Sequence, residues 1–451
     1  MKRGLQDLLD ILNDKEFYAL AREDAMHLLS WDDLTRRALP SGWSARDVWE
    51  ALFALRRLSG FYIPITNKDD VRKSFYIASR EFIEAVVELA SQTSTGASLY
   101  HQALQRESRR FTYKALVKET HATAQSDGMQ VSFEQIEQLL YTNRPPNNAQ
   151  ERIIVNSFDL LTKLDSMINE PFSEKLLGNL YQSVTGGLTP RQLDSELPAM
   201  EREGLFGYML SYPDIYDYAN DITKEKWEPD IMTAIMLREA ILYFKPFPHL
   251  NCTMAWMIFR LYAIKHDYPV IAYLPIVHTT LEWEKGLIPS EVMSYGFSTE
   301  EDTTPMNPSH YILGRTPSAA HRFTSMQEVH SECYEDEGDV SRWVVTSLEL
   351  MLVALRSFQK ELTTGLMEIH ELSLMDTTLN YRQNSIVLRA KRNPDAEFHI
   401  QFHKKANDIA YATARADLLG LVEKGYLKQT VKGRQHVFIP GERIIGHADI
   451  T

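Results

Sequence analysis

The chain has 451 residues and a net charge of −13; 44% of its residues are hydrophobic and 24% are charged. This length predicts two or three domains, and the composition is that of an ordinary globular protein. The acidic balance argues against a chain that coats nucleic acid along its whole surface, and two distant cysteines without a CxxC pair argue for a reducing, cytoplasmic setting and against a zinc site.

The first part of the chain predicts helices. Residues 1–17 carry acids inside their apolar pattern, which is unlike a signal peptide. Four apolar residues after Ser44 then follow helical spacing: Val48, Ala51, Leu52 and Leu55. Residues 1–95 are therefore interpreted as an N-terminal helical region. The longest apolar runs of the chain are broken by charges and prolines, so no membrane span is expected.

The middle of the chain alternates helical patterns with breaks. A long helical pattern runs over residues 99–124. Residues 142–150 form a break, because two prolines and paired asparagines oppose helix. Residues 227–244 then predict a helix with an apolar stripe. The long polar segment 296–320 is interpreted as a surface loop, with a lid or a partner-binding segment as the alternative.

The segment KPFPHLNCTMAW, residues 245–256, follows the predicted helix 227–244. It resembles the active-site motif of the Fic family, HPFx[DE]GNGRxxR, with matches at Pro246, Phe247 and Asn251. Fic proteins carry such a helix just before the motif. The resemblance continues in a predicted helix over residues 339–362 and in the sequence LNYRQ at 379–383. It implies a mostly α fold with a Fic-type helical core over residues 96–370.

The catalytic positions of that motif hold other residue types here. The resemblance places Lys245 where the family has its general base, and His249 where it has the acid that binds Mg²⁺. An ordinary lysine is protonated at neutral pH, and Mg²⁺ prefers carboxylates and water to imidazole. We therefore expect no catalytic residue among the motif positions Lys245, His249 and Asn251, and no metal site. ATP and Mg²⁺ would serve as cofactors only if the core is active.

The phosphate-binding positions of the motif are replaced as well. Leu250 and Cys252 stand at two glycines, where side chains hinder the approach of a pyrophosphate to the backbone. Thr253 and Trp256 stand at two arginines, so the charges that would neutralise phosphate are missing. Losing one such group costs several orders of magnitude in rate. The sequence predicts a Fic fold that is inactive for AMP transfer.

Thr123, Asp127 and Gly128 resemble an inhibitory segment of the Fic family, [ST]xxxE[GN]. In the family, the glutamate of that segment pairs with the second arginine of the active-site motif and keeps ATP out. Here Asp127 is one methylene shorter, and Trp256 stands at that arginine. We therefore expect Asp127 to have no partner, and Gly128 to cap the end of a helix.

Residues 407–440 resemble a winged helix-turn-helix. The positions that match its spacing are Thr413, Ala414, Asp417, Leu418, Leu421, Gly425 and Leu427. Lys432, Gly433 and Arg434 form a predicted basic hairpin tip, which would be the wing. Residues 380–451 carry six Lys and six Arg against seven acids, a net charge of +5, which leaves −18 for the rest. Such asymmetry is typical of a basic module on an acidic body.

A winged helix places its second helix in the major groove of DNA, and its wing contacts the backbone. The candidate base-reading residues are Tyr411, Ala412, Thr413 and Arg415. The candidate phosphate contacts are Lys404, Lys405, Lys428, Lys432 and Arg434. The alternative use of a winged helix is dimerisation or packing between domains.

The sequence therefore predicts three parts: the helical region 1–95, a degenerate Fic core over 96–370, and a winged helix-turn-helix domain over 371–451. The favoured function is a DNA-binding regulator with double-stranded DNA as its partner. One alternative is a protein AMP-transferase that uses ATP. The other is a protein-interaction module without nucleic acid, for which a homodimer or another protein partner is expected.

Overall fold

The computed structural model describes residues 10–62, 75–142, 144–197, 212–220, 230–288, 324–329, 338–432 and 435–445. Within these ranges the fold is mostly α, as the sequence predicts, with two small antiparallel sheets of two strands each. In the part of the chain that is described, no helix has the length and apolar character needed to cross a membrane.

The helices that precede the motif segment are α1 (Lys15–His27), α2 (Trp31–Thr35), α3 (Ala45–Ser59), α4 (Arg80–Thr93), α5 (Ser98–Ala103), α6 (Arg109–Ser126), α7 (Phe133–Thr142), α8 (Ala149–Leu161), α9 (Glu174–Thr185), α10 (Pro190–Glu196), α11 (Tyr212–Ala219) and α12 (Asp230–Phe244). Those that follow are α13 (Asn251–Lys265), α14 (Ile276–Glu284), α15 (Ser341–Met375), α16 (Tyr381–Arg392), α17 (Ile400–Asn407), α18 (Tyr411–Glu423) and α19 (Glu442–Ile445). The strands are β1 (Phe61–Tyr62), β2 (Phe75–Tyr76), β3 (Leu427–Lys432) and β4 (Gln435–Pro440).

The first three helices pack together around a small core of their own. Its buried members include Phe17, Leu34, Val48 and Leu52. Arg56 of α3 is 3% exposed and donates to Asp24 at 2.9 Å and to Asp339 at 3.2 Å. Because Asp339 lies two residues before the start of α15, this buried ion-pair network joins the N-terminal helices to the central bundle.

The central bundle is built around α12 and α13, which pack closely against each other. Every residue of α13 from Asn251 to Ala263 is buried, as expected for a helix at the centre of a core. Helix α6 contacts α13, α14 and α15, so it lies against most of the bundle. The turn between α12 and α13 is the segment that resembles the Fic motif.

The C-terminal elements form a third packing unit. Helices α16 and α18 pack with the β3–β4 sheet around the buried residues Ile386, Leu418, Leu421 and Phe438. Strands β3 and β4 pair in register from Leu427 with Pro440 to Lys432 with Gln435, and Phe398 adds a single antiparallel bridge to Phe438. The order of elements is three helices followed by an antiparallel pair of strands.

This unit is attached to the central bundle through α6 and α7. Arg110 of α6 donates to the carbonyl and hydroxyl oxygens of Ser385 in α16. Arg109 donates to the carbonyl of Asn407 at 3.3 Å, at the end of α17. The ammonium of Lys405 donates to the carbonyl of Leu140 in α7 at 3.2 Å. Helix α6 is therefore shared between the two units.

Some helix boundaries differ from the predicted ones. The pattern over residues 99–124 is divided into α5, a short 3₁₀ helix (Arg106–Ser108) and α6. The hydroxyl of Ser108 donates to the carbonyl of Gln102, which closes the turn between them. Helix α15 continues well beyond residue 362. The predicted loop 296–320 lies outside the described residues.

Candidate functional site

The turn between α12 and α13 is held closed by Asn251. Its side-chain oxygen accepts from the N–H of Phe247 at 2.9 Å, and its side-chain N–H donates to the carbonyl of the same residue at 2.8 Å. Phe247 is 1% exposed and stacks on Tyr181 of α9, with ring centroids 5.8 Å apart. Two of the three residues that match the Fic motif thus maintain the shape of the turn.

Two residues of the turn have a left-handed backbone conformation that favours glycine. Lys245 has φ of 47° and Leu250 has φ of 63°. Such a conformation costs a residue with a Cβ about 1–2 kcal/mol. Leu250 stands where the Fic motif has a glycine, but its side chain is only 1% exposed. Burying a leucine contributes about 1.5–3 kcal/mol, so its packing offsets the strain.

The N-terminus of α13 is occupied by Asp127, which follows α6 directly. Its carboxylate accepts from the N–H groups of Cys252 and Thr253, both at 2.9 Å, and from the hydroxyl of Thr253 at 2.6 Å. Asp127 is 2% exposed. The expectation that Asp127 has no partner is therefore wrong. The missing arginine is replaced by the free backbone donors of a helix N-terminus and by one hydroxyl.

The position of Asp127 bears directly on phosphate binding. The free N–H groups at a helix N-terminus are the donors that a phosphate would use. A phosphate at α13 would have to displace the Asp127 carboxylate from them. Burial raises the pKa of Asp127 to about 6, and the hydrogen bonds from Thr253 and Cys252 counteract part of that rise. At neutral pH the group is mostly ionised, so it also repels a second anion.

The other two positions of the inhibitory resemblance have local roles. Gly128 ends α6 with φ of 82°, as predicted for a helix cap. Thr123 is buried, and its hydroxyl donates to the carbonyl of Thr120 at 3.1 Å within the same helix.

Glu119 makes a second contact of the same kind, about two turns earlier on α6. Its carboxylate accepts from the N–H groups of Val277 and His278, at 2.9 and 3.1 Å, at the start of α14. Burial raises the pKa of Glu119 to about 7, against the lowering effect of those hydrogen bonds and of Arg238 and Arg260. Sequence reasoning missed this residue. The available signal was an acid eight positions before Asp127, on the same face of the helix.

A cavity of about 240 Å³ lies beside the turn, and Lys245, Asn251 and Cys252 contribute to its wall. Arg238 and Glu239 of α12 also line it, as a buried ion pair. Burial raises the pKa of the Cys252 thiol well above its ordinary value, so this thiol is protonated and is not a nucleophile at neutral pH. The charged lining residues are Arg238, Glu239, Lys245 and Glu284. Two basic and two acidic side chains therefore line the cavity.

The three motif positions are not gathered around one reacting point. Lys245 and Asn251 line the cavity, whereas His249 does not. The Nε2 atom of His249 lies 2.9 Å from the carboxylate of Asp194 in α10. Among the described residues there is no group of His, Cys, Asp and Glu suited to hold a metal ion.

The start of α18 is a second candidate site, and it is open to solvent. Tyr411 is 47% exposed, and Ala412, Thr413 and Arg415 are exposed as well. The opposite face is buried in the C-terminal core through Ala414, Leu418 and Leu421. All four candidate base-reading residues are therefore exposed in the first turn and a half of the helix.

Asp417 fixes α18 to the rest of the C-terminal unit. Its carboxylate accepts from Arg382 at 2.6 Å, from Asn380 at 2.8 Å and lies 2.9 Å from Nε2 of His403. Burial opposes ionisation of Asp417, but the hydrogen bonds from His403, Arg382 and Asn380 outweigh it and hold the pKa below the usual range. The helix is thus held by an ionised aspartate linked to α16 and α17.

The candidate phosphate contacts divide into three groups. Lys404 and Lys428 are exposed. Lys405 is directed to the carbonyl of Leu140, and burial lowers the pKa of its ammonium. Lys405 is also exposed, so its assignment as a phosphate contact stays a prediction. The side chain of Lys432 and the whole of Arg434 lie outside the described part.

Comparison with known proteins gives structural likenesses and no sequence match. No protein-family model and no curated protein matches the chain. A Fic family protein from Desulfovibrio desulfuricans G20 is similar in structure, with 12% identity, a TM-score of 0.43, and coverage of 81% of this chain and 97% of that one. A Fic domain containing signaling protein from Bacteroides thetaiotaomicron VPI-5482 is also similar, with 12% identity, a TM-score of 0.36, and coverage of 63% and 97%.

Both structures are Fic proteins, the family whose motif residues 245–256 resemble. With TM-scores below 0.5 and 12% identity, neither likeness says anything of activity or ligands. The contacts of Asp127 and Glu119 and the exposure of Arg415 are observed within this chain.

Proposed function

We propose that this protein is a DNA-binding regulator. In this proposal the C-terminal unit, residues 371–451, is a winged helix that reads double-stranded DNA through α18. The Fic-like core carries that unit and does not transfer AMP.

The observation that carries this proposal is the free face at the start of α18. Tyr411 and Arg415 are exposed there, while Ala414 and Leu418 on the other face are fully buried. A helix used only for packing against the central bundle would have this face covered. The bundle instead holds the C-terminal unit through α16 and α17, on the side of Ser385 and Lys405.

Two further features support DNA as the partner. The N-cap residue of α18, Ala410, makes no side-chain hydrogen bond, so the helix start offers N–H donors to a phosphate. Residues 380–451 carry a net charge of +5 on a chain of −13. The acidic remainder would repel DNA from the other surfaces and leave contact to this end.

The core supports a different role from AMP transfer. Asp127 fills the N-terminus of α13, where a nucleotide phosphate would bind. His249 is turned toward Asp194, so the motif position of the magnesium-binding acid is also lost. We expect purified protein with labelled ATP and Mg²⁺ to label neither itself nor lysate proteins. Labelling that requires Mg²⁺ and is abolished by Lys245→Ala would favour the alternative, a protein AMP-transferase.

The test of DNA binding is a selection from a random double-stranded library with the full chain, followed by affinity measurements on the enriched sequence. Arg415→Ala should reduce discrimination between the enriched and a scrambled sequence by about 1–3 kcal/mol if Arg415 contacts a base edge. Arg46→Ala is the matched control, because Arg46 is an exposed helical arginine far from this unit, with 83% of its side chain accessible.

The phosphate contacts give a second signature. Lys428→Ala should weaken binding of all sequences alike and reduce the slope of affinity against salt by about one. Lys405→Ala should reduce that slope less, because its ammonium also donates to the carbonyl of Leu140. A selection that enriches no sequence would remove the proposal and leave the C-terminal unit as a dimerisation or packing module.

A further inference from the structure

A second cavity, of about 200 Å³, lies at the junction between the central bundle and the C-terminal unit. The bundle contributes Arg110, Phe111, Tyr113 and Lys114 of α6, Glu137 of α7 and Glu361 of α15. The C-terminal unit contributes Leu388, Arg389 and Arg392 of α16, with Asn393 after it, and Phe402 of α17. The cavity shares no residue with the one beside Lys245.

The charge of this cavity is positive. Its lining holds three arginines and one lysine against two glutamates. Lys114 pairs with Glu361 at 2.5 Å, and Arg392 pairs with Glu368 outside the cavity. Arg389 differs from them. Its guanidinium lies over the rings of Phe402 and Phe398, 5.6 and 5.7 Å from their centroids, and within the described ranges it has no carboxylate partner.

The walls of the cavity also limit the shape of a ligand. Phe111, Tyr113 and Phe402 provide aromatic surface, and the rings of Tyr113 and Phe402 meet edge to face at 6.2 Å. A planar guanidinium binds carboxylate and phosphate oxygens in pairs, and aromatic walls favour a flat ring. The size of the space fits one small molecule rather than a peptide or a nucleic acid.

We propose that this junction is an effector site for a small anion with an aromatic or heterocyclic ring. The carboxylate or phosphate contacts Arg389, with Arg110 beside it, and the ring lies against Tyr113 and Phe402. Because the walls come from both units, the bound molecule contacts the core and the C-terminal unit at once. A ligand that binds one arrangement of the two units better than another shifts the population between them.

The binding test uses the full chain and titration calorimetry with two pairs of probes. One pair is 4-hydroxybenzoate and its neutral amide, 4-hydroxybenzamide. The other pair is adenosine 5′-monophosphate and uncharged adenosine. We expect at least one anion to bind and its neutral counterpart to bind at least tenfold more weakly. The two pairs distinguish a carboxylate ligand from a phosphate ligand.

The variants locate the binding. Arg389→Gln should weaken the bound anion at least tenfold, and Arg389→Lys should weaken it less, because the charge remains and the planar pair of donors is lost. Asn393→Asp is a second variant that keeps the fold, since an aspartate can still accept from the N–H of Asp395 as Asn393 does at 3.0 Å. It places a negative charge on the cavity wall and should also weaken the anion. Arg46→Gln serves as the control.

Binding of neither anion, equal binding of the neutral probes, or affinities unchanged in Arg389→Gln and Asn393→Asp would each overturn the proposal. The effect on DNA is a separate measurement that rests on the proposed function. If the anion binds and DNA is recognised, adding saturating anion should change the affinity of the unmodified chain for DNA. Adding the same concentration of anion to Asn393→Asp should leave the affinity of that variant for DNA unchanged. If the chain recognises no DNA but still binds the anion, the proposed function is contradicted and the proposal of an anion site is not.

Discussion

Two helix N-termini in this molecule, at α13 and at α18, have opposite surroundings. Neither is capped by the side chain of its own N-cap residue, Leu250 or Ala410. At α13 the free donors are taken by the buried carboxylate of Asp127. At α18 the first turn is exposed, and Asp417, in the middle of that helix, is buried.

The difference shows that the unpaired N–H groups of a helix N-terminus can be bonded inside the protein at one helix and exposed to solvent at another. Helix N-termini attract anions because their first N–H groups lack partners. The core satisfies that requirement internally, so a phosphate at α13 would compete with Asp127 for the same donors. At α18 the first turn is exposed to solvent instead. The same physics therefore gives one helix N-terminus that is closed inside the core and one that is open at the C-terminal unit.

The largest expected effect on the free energy of unfolding comes from removing the Asp127 carboxylate at the N-terminus of α13. Asp127→Ala removes one charged acceptor and leaves the N–H groups of Cys252 and Thr253 buried without it. We expect a loss of about 3 kcal/mol in the free energy of unfolding, measured by urea titration. Asp32→Ala is the control, because Asp32 is an exposed helical acid with 71% of its side chain accessible.

Asp127→Ala also allows a chemical rescue. If the emptied N-terminus of α13 is an anion site, added sulfate should restore part of the lost stability in this variant more than in Asp32→Ala. A loss below about 1 kcal/mol would mean that water satisfies these donors in the variant. That result would contradict the claim that the N-terminus of α13 depends on the Asp127 carboxylate.

The free energy of unfolding should change with pH in opposite directions for Asp127 in the core and Asp417 in the C-terminal unit. The pKa of Asp127 is raised to about 6, so its contribution is fully present below its unfolded pKa and is lost as pH rises through about 6. The unmodified chain should therefore lose about 2–3 kcal/mol relative to Asp127→Asn as pH rises from about 4 to about 7.

Asp417 has a lowered pKa, so its contribution is present above its unfolded pKa and is lost as pH falls toward its folded one. Relative to Asp417→Asn, the unmodified chain should lose stability on acidification below about pH 4. Urea titrations across this range give both profiles. Profiles of the same sign would contradict the opposite pKa shifts of Asp127 and Asp417.

The sequence identified the motif segment better than the contacts around it. Pro246, Phe247 and Asn251 lie within a few positions of one another and carry the resemblance, whereas the hydrogen bonds by which Asn251 closes the turn are seen only in the structure. The contact of Asp127 with Thr253 joins residues 126 positions apart, so no local pattern contains it. Predicting this contact would also have meant considering backbone N–H groups as the partner of Asp127, whereas the resemblance to the Fic family pointed to an arginine side chain. The hydrogen bond from Lys405 to the carbonyl of Leu140 was missed for a related reason, because it depends on how the C-terminal unit packs against α7.

Glycines in the two regions should respond differently to an added methyl group. A Cβ on Gly365 of α15 would lie 2.2 Å from Cζ of Phe111 in α6. We expect Gly365→Ala to destabilise by about 1–3 kcal/mol, although alanine favours a helix by about 1 kcal/mol. The measurement is urea unfolding. Gly178→Ala in α9 is the control, because no atom lies within 4 Å of its Cβ position.

The control should gain about 0.5–1 kcal/mol, which separates helix propensity from packing. In a Phe111→Leu background the cost of Gly365→Ala should fall, since the ring atoms that it meets are absent. An unchanged cost in that background would show that the bundle resists the methyl group by other contacts than Phe111.

The smallest effect is expected at Gly420, on α18. A Cβ there would meet only Nε2 of Gln383, at 3.0 Å, which is the far end of a flexible side chain. That atom donates to the carbonyl of Asp417 at 3.0 Å, so moving it weakens one hydrogen bond worth about 1 kcal/mol. Alanine returns about the same amount in helix propensity, and Gly420→Ala should change stability by less than about 0.5 kcal/mol. Affinity for DNA should also stay unchanged, because the exposed face with Tyr411 and Arg415 is untouched. A loss as large as that of Gly365→Ala would mean that α18 is packed as tightly as the core.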